Sequence, residues 1–317
     1  NDPRDYDPDH ELMHTYEGPL PGIDPIVMMG SDGAAWAEWL KRKGYSTPDS
    51  SSRLYTQKAD QIEYETGGPE PAPLALPREQ NDTWFMVDST IDYIAEQKDQ
   101  WFVHLSLLRP HPPWIAPSPY NAMYPPETLM DFKRQANIDA EAKQHPLLNH
   151  YLHEPYHFVD QDDKKTARLK SSYFGLMSEV DDNLGRLFQH LKETNQWENT
   201  LIIFTSDHGE QIGDHWLIGK MGYFDASYHV PLIIRDPSQK ADQHRGKQID
   251  AFTENVDLMP TMLDWIDLQV PTQCDGRSLV SILRNGSKPP NWRDAAHWEF
   301  DFRSVSSGQA LEKSFNL

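Results

Sequence analysis

The chain has 317 residues, 38% of them apolar, and its 29 Lys and Arg against 49 Asp and Glu give a formal charge of −20. This length and apolar share suit one large α/β domain, or one domain with a smaller appendage, and exclude global disorder. The charge argues against nucleic acid and anionic membrane as partners, and no apolar run reaches the length of a membrane span.

The single cysteine, Cys274, permits no internal disulfide and does not mark a compartment; the cytoplasm is favoured. The chain starts NDPRDYDPDH, which is neither an initiator Met nor a signal peptide and reads as the inside of a longer sequence.

Residues 1–30 are rich in Pro and Asp and read as irregular. Ser31 or Asp32 is placed to cap a short helix through Trp36, Trp39 and Leu40 that ends near Gly44. Residues 45–80, rich in Ser, Pro and Gly, are expected to wind over the surface. Thr83 opens a better helix, with Trp84, Val87, Ile91 and Ile94 at helical spacing. It leads into WFVHLSLL, residues 101–108, a predicted strand, and then into RPHPPW. The prolines there fix φ and remove backbone donors, so His111 stands on a stiff loop beyond a strand end.

Residues 115–165 are a long mixed loop, of the kind that serves as a lid or as the arm of a homo-oligomer. Its His150 and His153 lack carboxylates at a recognisable metal-site spacing. Leu169, Tyr173, Leu176, Val180, Leu184, Leu187 and Leu191 step by three or four and predict an amphipathic helix, with Glu179, Asp181 and Asp182 on its wet face. The helix feeds an apolar run at 201–204, so 101–206 reads as strand, insertion, helix and strand, a parallel crossover. Residues 250–268 predict a strand-like lead and a helix, with Asn255 as cap and Pro260 in the first turn. The expectation is an α/β fold with a mainly parallel sheet flanked by helices over 1–268, and a partial C-terminal subdomain over 269–317.

The run at 201–204 ends in Thr205-Ser206-Asp207-His208-Gly209-Glu210, a second polar knot holds Asp214, His215 and Lys220, and a second apolar run follows at 230–234. In open α/β sheets ligands sit just beyond the carboxyl ends of strands, where Asp207 and His208 stand, and an adjacent carboxylate and imidazole suit one divalent metal. Singly, such an Asp is more often a turn residue and such a His a satisfied polar group. As a set, T-S-D-H-G-E-x-x-G-D-H-x-x-x-G-K leading into P-L-I-I-R resembles the metal- and anion-binding segment of the sulfatases. It looks most like the phosphonate monoester hydrolase branch of the alkaline phosphatase superfamily. P-H-x-P at 110–113, V-D-L-M-P-T-M-L at 256–263 and D-G-x-S-L at 275–279 extend the resemblance.

The resemblance implies an alkaline phosphatase/sulfatase-like fold and hydrolysis of sulfate, phosphate or phosphonate esters. Asp207 and His208 match two metal ligands, Lys220 the lysine that holds the substrate anion, and His111 the histidine that binds the ester oxygen and protonates the leaving group. His215 stays outside this set. The metal is expected to be Mn²⁺ or Ca²⁺, with Zn²⁺ and Mg²⁺ as alternatives, and the partner a small anionic ester. Since the bulk charge repels such a substrate, the metal, Lys220 and His111 must reverse the field locally.

The family nucleophile is a formylglycine made from cysteine in C-x-P-S-R. No such segment occurs here, and neither Ser46-Thr47-Pro48 nor the serines at 50–52 have its spacing. Cys274 is followed by Asp-Gly-Arg and reads as structural. The early acidic pair of the metal site is missing too. Family members carry both elements in their first strands, so both are expected upstream of Asn1, and 1–317 alone is expected to be inactive and poorly soluble. The alternatives are a true sulfatase and an inactive truncated family member.

Overall fold

The computed structural model describes residues 23–29, 33–48, 53–58, 72–153 and 158–298. Ser31, Asp32, the serines at 50–52 and residues 299–303 lie outside them. In chain order the α-helices are α1 Ala34–Arg42, α2 Asp82–Glu96, α3 Ile138–Ala142, α4 Pro146–His153, α5 Asp163–Glu193, α6 Asp225–Tyr228, α7 Leu258–Trp265 and α8 Val280–Asn285. The strands are β1 Ile202–Thr205 and β2 Leu232–Arg235. The chain divides into two compact units, Asn1–Asp131 with Asp162–His190, and Phe132–Gln161 with Leu191–Leu317.

In the first unit, α2 starts one residue before the expected Thr83, where the Asn81 side chain accepts the Trp84 amide at 2.9 Å and satisfies a donor the helix cannot. Trp36 and Leu40 of α1 and Phe85 of α2 form one core with Leu54, Leu74 and Leu76. Full burial of each such side chain contributes roughly 1.5–3 kcal/mol. Residues 72–76, expected on the surface, thus supply core side chains: Leu74 and Leu76 are buried and only Ala75 of this stretch is exposed.

The amphipathic helix appears as α5, with Leu176 and Val180 buried. Gly175 is required there: a Cβ would lie 2.4 Å from the Tyr120 carbonyl oxygen. Glu179 is not on the wet face. It is fully buried, accepting from Asn81 Nδ2 at 2.7 Å, Thr83 Oγ1 at 2.9 Å and Asn183 Nδ2 at 2.8 Å. Burial pushes its carboxyl pKa up to about 7, against the pull of Asn81 and Thr83. Asp181 and Asp182 are exposed as expected, and Tyr120 donates to Asp182 at 2.7 Å.

Residues 101–108 alternate half-buried and exposed, the period of a strand, yet no strand pairs with them among the described residues. The expected parallel pairing of 101–108 with the 201–204 run is not seen among the described residues. In the second unit β1 and β2 run antiparallel, with Ile202 opposite Arg235 and Thr205 opposite Leu232. The segment read as loop over 115–165 contains α3 and α4. Leu148, Tyr151 and Leu152 of α4 pack with Val159, Trp216 and Leu217 into the second unit's core. Asn255 does not cap α7's entry. Glu254 and Asp257 form the capping box, and Arg293 grips the buried Asp257 at 2.5 and 2.7 Å. No helix among the described residues is long and apolar enough to cross a membrane.

Candidate active site

β1 ends at Thr205, and the chain turns at once into the polar motif. Thr205 Oγ1 donates to the Pro231 carbonyl at 2.9 Å, and Asn255 Nδ2 donates to the Ser206 carbonyl at 2.9 Å. Asn255 is thus diverted from the helix to fix the strand's end. Ser206 Oγ donates to the His208 carbonyl at 2.7 Å, and the His208 amide donates to Asp207 Oδ1 at 2.9 Å. These bonds set a tight turn that leaves the Asp207 side chain 84% exposed and that of His208 23% exposed.

His208 Nδ1 lies 2.7 Å from the Gly209 carbonyl, which can only accept, so Nδ1 carries the proton and Nε2 a lone pair. Nε2 lies 3.4 Å from Asp207 Oδ2 and 2.9 Å from Lys220 Nζ. The next residue has to be glycine: a Cβ on Gly209 would lie 2.1 Å from the Ala226 carbonyl oxygen, and its amide donates to Ser227 O at 2.7 Å.

Glu210 and Gln211 hold the exposed Lys220 in place. Glu210 Oε1 accepts from the Gly219 amide at 2.5 Å, and burial pushes its carboxyl pKa up. Gln211 donates from its amide to Gly219 O at 2.9 Å, and from Nε2 to Met221 O at 2.8 Å and Ser227 Oγ at 2.9 Å. Glu210 lies inside the sequence motif, where spacing alone assigns it no task. A charged residue at an interior motif position was the signal.

Asp207, His208 and Lys220 come together at the carboxyl end of β1. His111 lies in the first unit, exposed, with its amide on Leu108 O at 2.9 Å and Nδ1 2.8 Å from Pro112 O. Its loop is tied down by the buried Arg109, whose Nη1 donates to His111 O at 2.8 Å and Pro113 O at 3.0 Å. The Arg109 Nε pairs with the equally buried Asp82 at 3.1 Å, and Tyr55 OH donates to the same carboxylate at 2.9 Å. Burial and Asp82 push the Tyr55 phenol up.

The sulfatase family model matches residues 31–268. The chain belongs to the sulfatase family. The "Multifunctional alkaline phosphatase superfamily protein PehA" of Trinickia caryophylli is 40% identical over 278 residues, 84% of this chain and 53% of that protein. An arylsulfatase of Clostridium perfringens is 29% identical over 238 residues, 73% and 47% of the two chains. The chain thus spans about half the length of these curated sulfatase-family relatives. Among solved structures, the phosphonate monoester hydrolase of Agrobacterium radiobacter superposes with a TM-score of 0.86 at 37% identity, covering 100% of this chain and 63% of that one. The phosphonate monoester hydrolase of Silicibacter pomeroyi gives 0.84 at 35% identity over the same shares. The fold is the α/β fold of the alkaline phosphatases and sulfatases.

Family membership points to a divalent metal and a formylglycine. For the metal, Asp207 and the unprotonated Nε2 of His208 fit as two donors of a shared set: they converge to 3.4 Å, and the carboxylate is open. Among the described residues no group of three or more His, Cys, Asp or Glu side chains completes that set. For formylglycine, Cys274 does not fit. It lies in the turn that presses Gly276 against the Val256 carbonyl and gives the Arg277 amide to Asp257 Oδ1, a structural setting.

Proposed function

We propose that this chain forms part of a metal-dependent hydrolase of small monoanionic esters, with phosphonate monoesters and phosphodiesters as the favoured class and sulfate esters as the narrower rival. The observation that carries this is the convergence of Lys220 Nζ and Asp207 Oδ2 on His208 Nε2, at 2.9 and 3.4 Å. A cation and two metal donors meet at one strand end, in a chain whose net charge would repel an anion. Lys220 would hold a non-bridging oxygen of the ester, and Asp207 with His208 would hold the metal. When bound, the metal neutralises developing charge on those oxygens. His111, on its braced loop, would give its proton to the leaving oxygen. The preference for phosphorus esters is supported by the identity to the two phosphonate monoester hydrolases, above that to the arylsulfatase. We assign the catalytic part to 1–268 and a C-terminal subdomain to 269–317.

The test is calorimetric titration of the chain with Mn²⁺, then with methylphosphonate. The expected result is Mn²⁺ uptake lost in Asp207→Ala and methylphosphonate binding lost in Lys220→Ala. A folded chain that takes up neither ligand overturns the assignment. Affinity for methylphosphonate against that for methyl sulfate, read by the same titration, then decides the substrate class.

A further inference from the structure

We propose that Glu141, acting through His215, is a positioning residue for Lys220. The loop that carries Lys220 begins with a run of left-handed backbone: Ile212 at φ 30°, Gly213 at 99°, His215 at 56° and Trp216 at 60°. Three of these residues are not glycine, and one is β-branched. Such a backbone persists only where its surroundings over-determine it.

The surroundings here are the segment 132–161, which belongs to the same unit as the loop. The His215 amide donates to Lys133 O at 2.8 Å, and the Lys133 amide to Asp214 Oδ1 at 3.0 Å. Trp216 Nε1 donates to Gln135 O at 2.9 Å. At the centre lies Glu141, with 0% exposure, whose Oε1 is 2.8 Å from His215 Nδ1. Its oxygens also accept from the Gln135 amide and from Gln144 Nε2, each at 2.5 Å. The carboxylate is therefore fully employed in holding the 135–144 segment and the loop to one another.

His215 passes the constraint on. Its ring stacks on Phe224 at 3.5 Å and 6°, so the beginning and the end of the loop are locked together with Lys220 between them. Lys220 has a long flexible side chain, and it meets His208 at 2.9 Å only because its backbone is held. The segment 133–144 is thus a clamp on the anion-binding lysine. Glu141 need touch no substrate for this. The functional meaning of the inference rests on Lys220 as the anion-binding cation; its geometry does not.

The experiment is acetylation of the intact chain by an N-hydroxysuccinimide ester, read at Lys220 by peptide mass spectrometry against the exposed Lys240 and Lys288. Glu141→Ala and His215→Val are expected to change the Lys220 rate relative to those two by about fivefold, the size of one ordinary hydrogen bond. His215→Asn keeps a donor toward Glu141 and tolerates left-handed backbone, so it is expected to restore the rate. Methylphosphonate affinity is measured in parallel for Glu141→Ala and for Lys220→Ala, and Glu141→Ala is expected to weaken it. An unchanged Lys220 rate in folded Glu141→Ala, or a His215→Asn variant no better than His215→Val, overturns the proposal. A Lys220 rate that follows Glu141 while methylphosphonate affinity ignores Lys220 supports the positioning and overturns the anion role instead.

Discussion

The Lys220 ammonium donates to the one lone pair of His208, at Nε2, across 2.9 Å. That is the lone pair a divalent metal would take, so lysine and metal compete for it. Lys220→Ala is therefore expected to leave Mn²⁺ affinity unchanged or raise it, while methylphosphonate binding is lost. Asp207→Ala removes a donor and is expected to lower Mn²⁺ affinity by more than about tenfold, since even outer partners of a ligand act on that scale. Titration calorimetry of both variants checks this; a loss of Mn²⁺ binding in Lys220→Ala contradicts it.

Glu179 makes the stability of the first unit depend on pH. Its folded pKa is raised, to about 7 from the ordinary 4.5, by burial first of all. A raised carboxyl stabilises the fold fully below the unfolded value and loses that contribution as pH climbs through the folded one. Between pH 4.5 and about 7 the protein should thus lose about 3 kcal/mol on this account. Glu179→Gln cannot ionise. Urea denaturation at pH 5 and pH 8 should show the wild type weakening by about that amount relative to the variant. Equal pH dependence of the two would contradict the assignment.

What could be read from sequence was what is contiguous. β1, the turn at Asp207 and His208, α2 and α5 each declare themselves within a few residues, through an apolar run, a cap or a 3.6-residue period. The failures lie where a partner is remote. Glu179 looks solvated on its own helix, and only Asn81 and Thr83, 98 and 96 residues away in the chain, make it a core residue. Glu141 gave no signal because its partner His215 is 74 residues on. Residues 101–108 keep the alternation of a strand without a partner among the described residues, since period two reports which side is inward but not who lies alongside. In the site, Asp207, His208 and Lys220 share one motif and could be named together. The clasp by Gln211 and the brace by Arg109 depend on side-chain direction, which spacing does not carry.

The close approach at Gly209 gives a sharp steric prediction. A Cβ there would sit 2.1 Å from the backbone oxygen of Ala226, which a rotamer change cannot relieve. Gly209→Ala should push α6 away from the His208 turn and cost about 1–3 kcal/mol, the usual range for forced overpacking. It should also weaken Mn²⁺ binding, because the Gly209 carbonyl is what sets the His208 tautomer. Thermal denaturation with and without Mn²⁺ checks both effects. A variant with wild-type Tm and metal response would show that the turn is not held as described.

Arg109 joins two tasks, and substitutions can separate them. Its Nε neutralises the buried Asp82, while its Nη1 bridges the carbonyls of His111 and Pro113. Arg109→Met strands a buried carboxylate and should cost about 3–5 kcal/mol, the scale for breaking a buried pair. Arg109→Met combined with Asp82→Asn removes the stranded charge, so part of that loss should return. The bridge to the His111 loop stays broken in both. Arg109→Lys keeps the charge but offers a point donor in place of a planar fork, and it cannot serve Asp82 and both carbonyls at once. Urea denaturation should therefore rank the double variant above Arg109→Met. Limited proteolysis between residues 108 and 114 should accelerate in all three variants, because each loosens the loop whatever its effect on the charge. An Arg109→Lys protein with wild-type stability and wild-type proteolysis at this loop would assign Arg109 to charge balance alone and leave His111 braced only by its prolines.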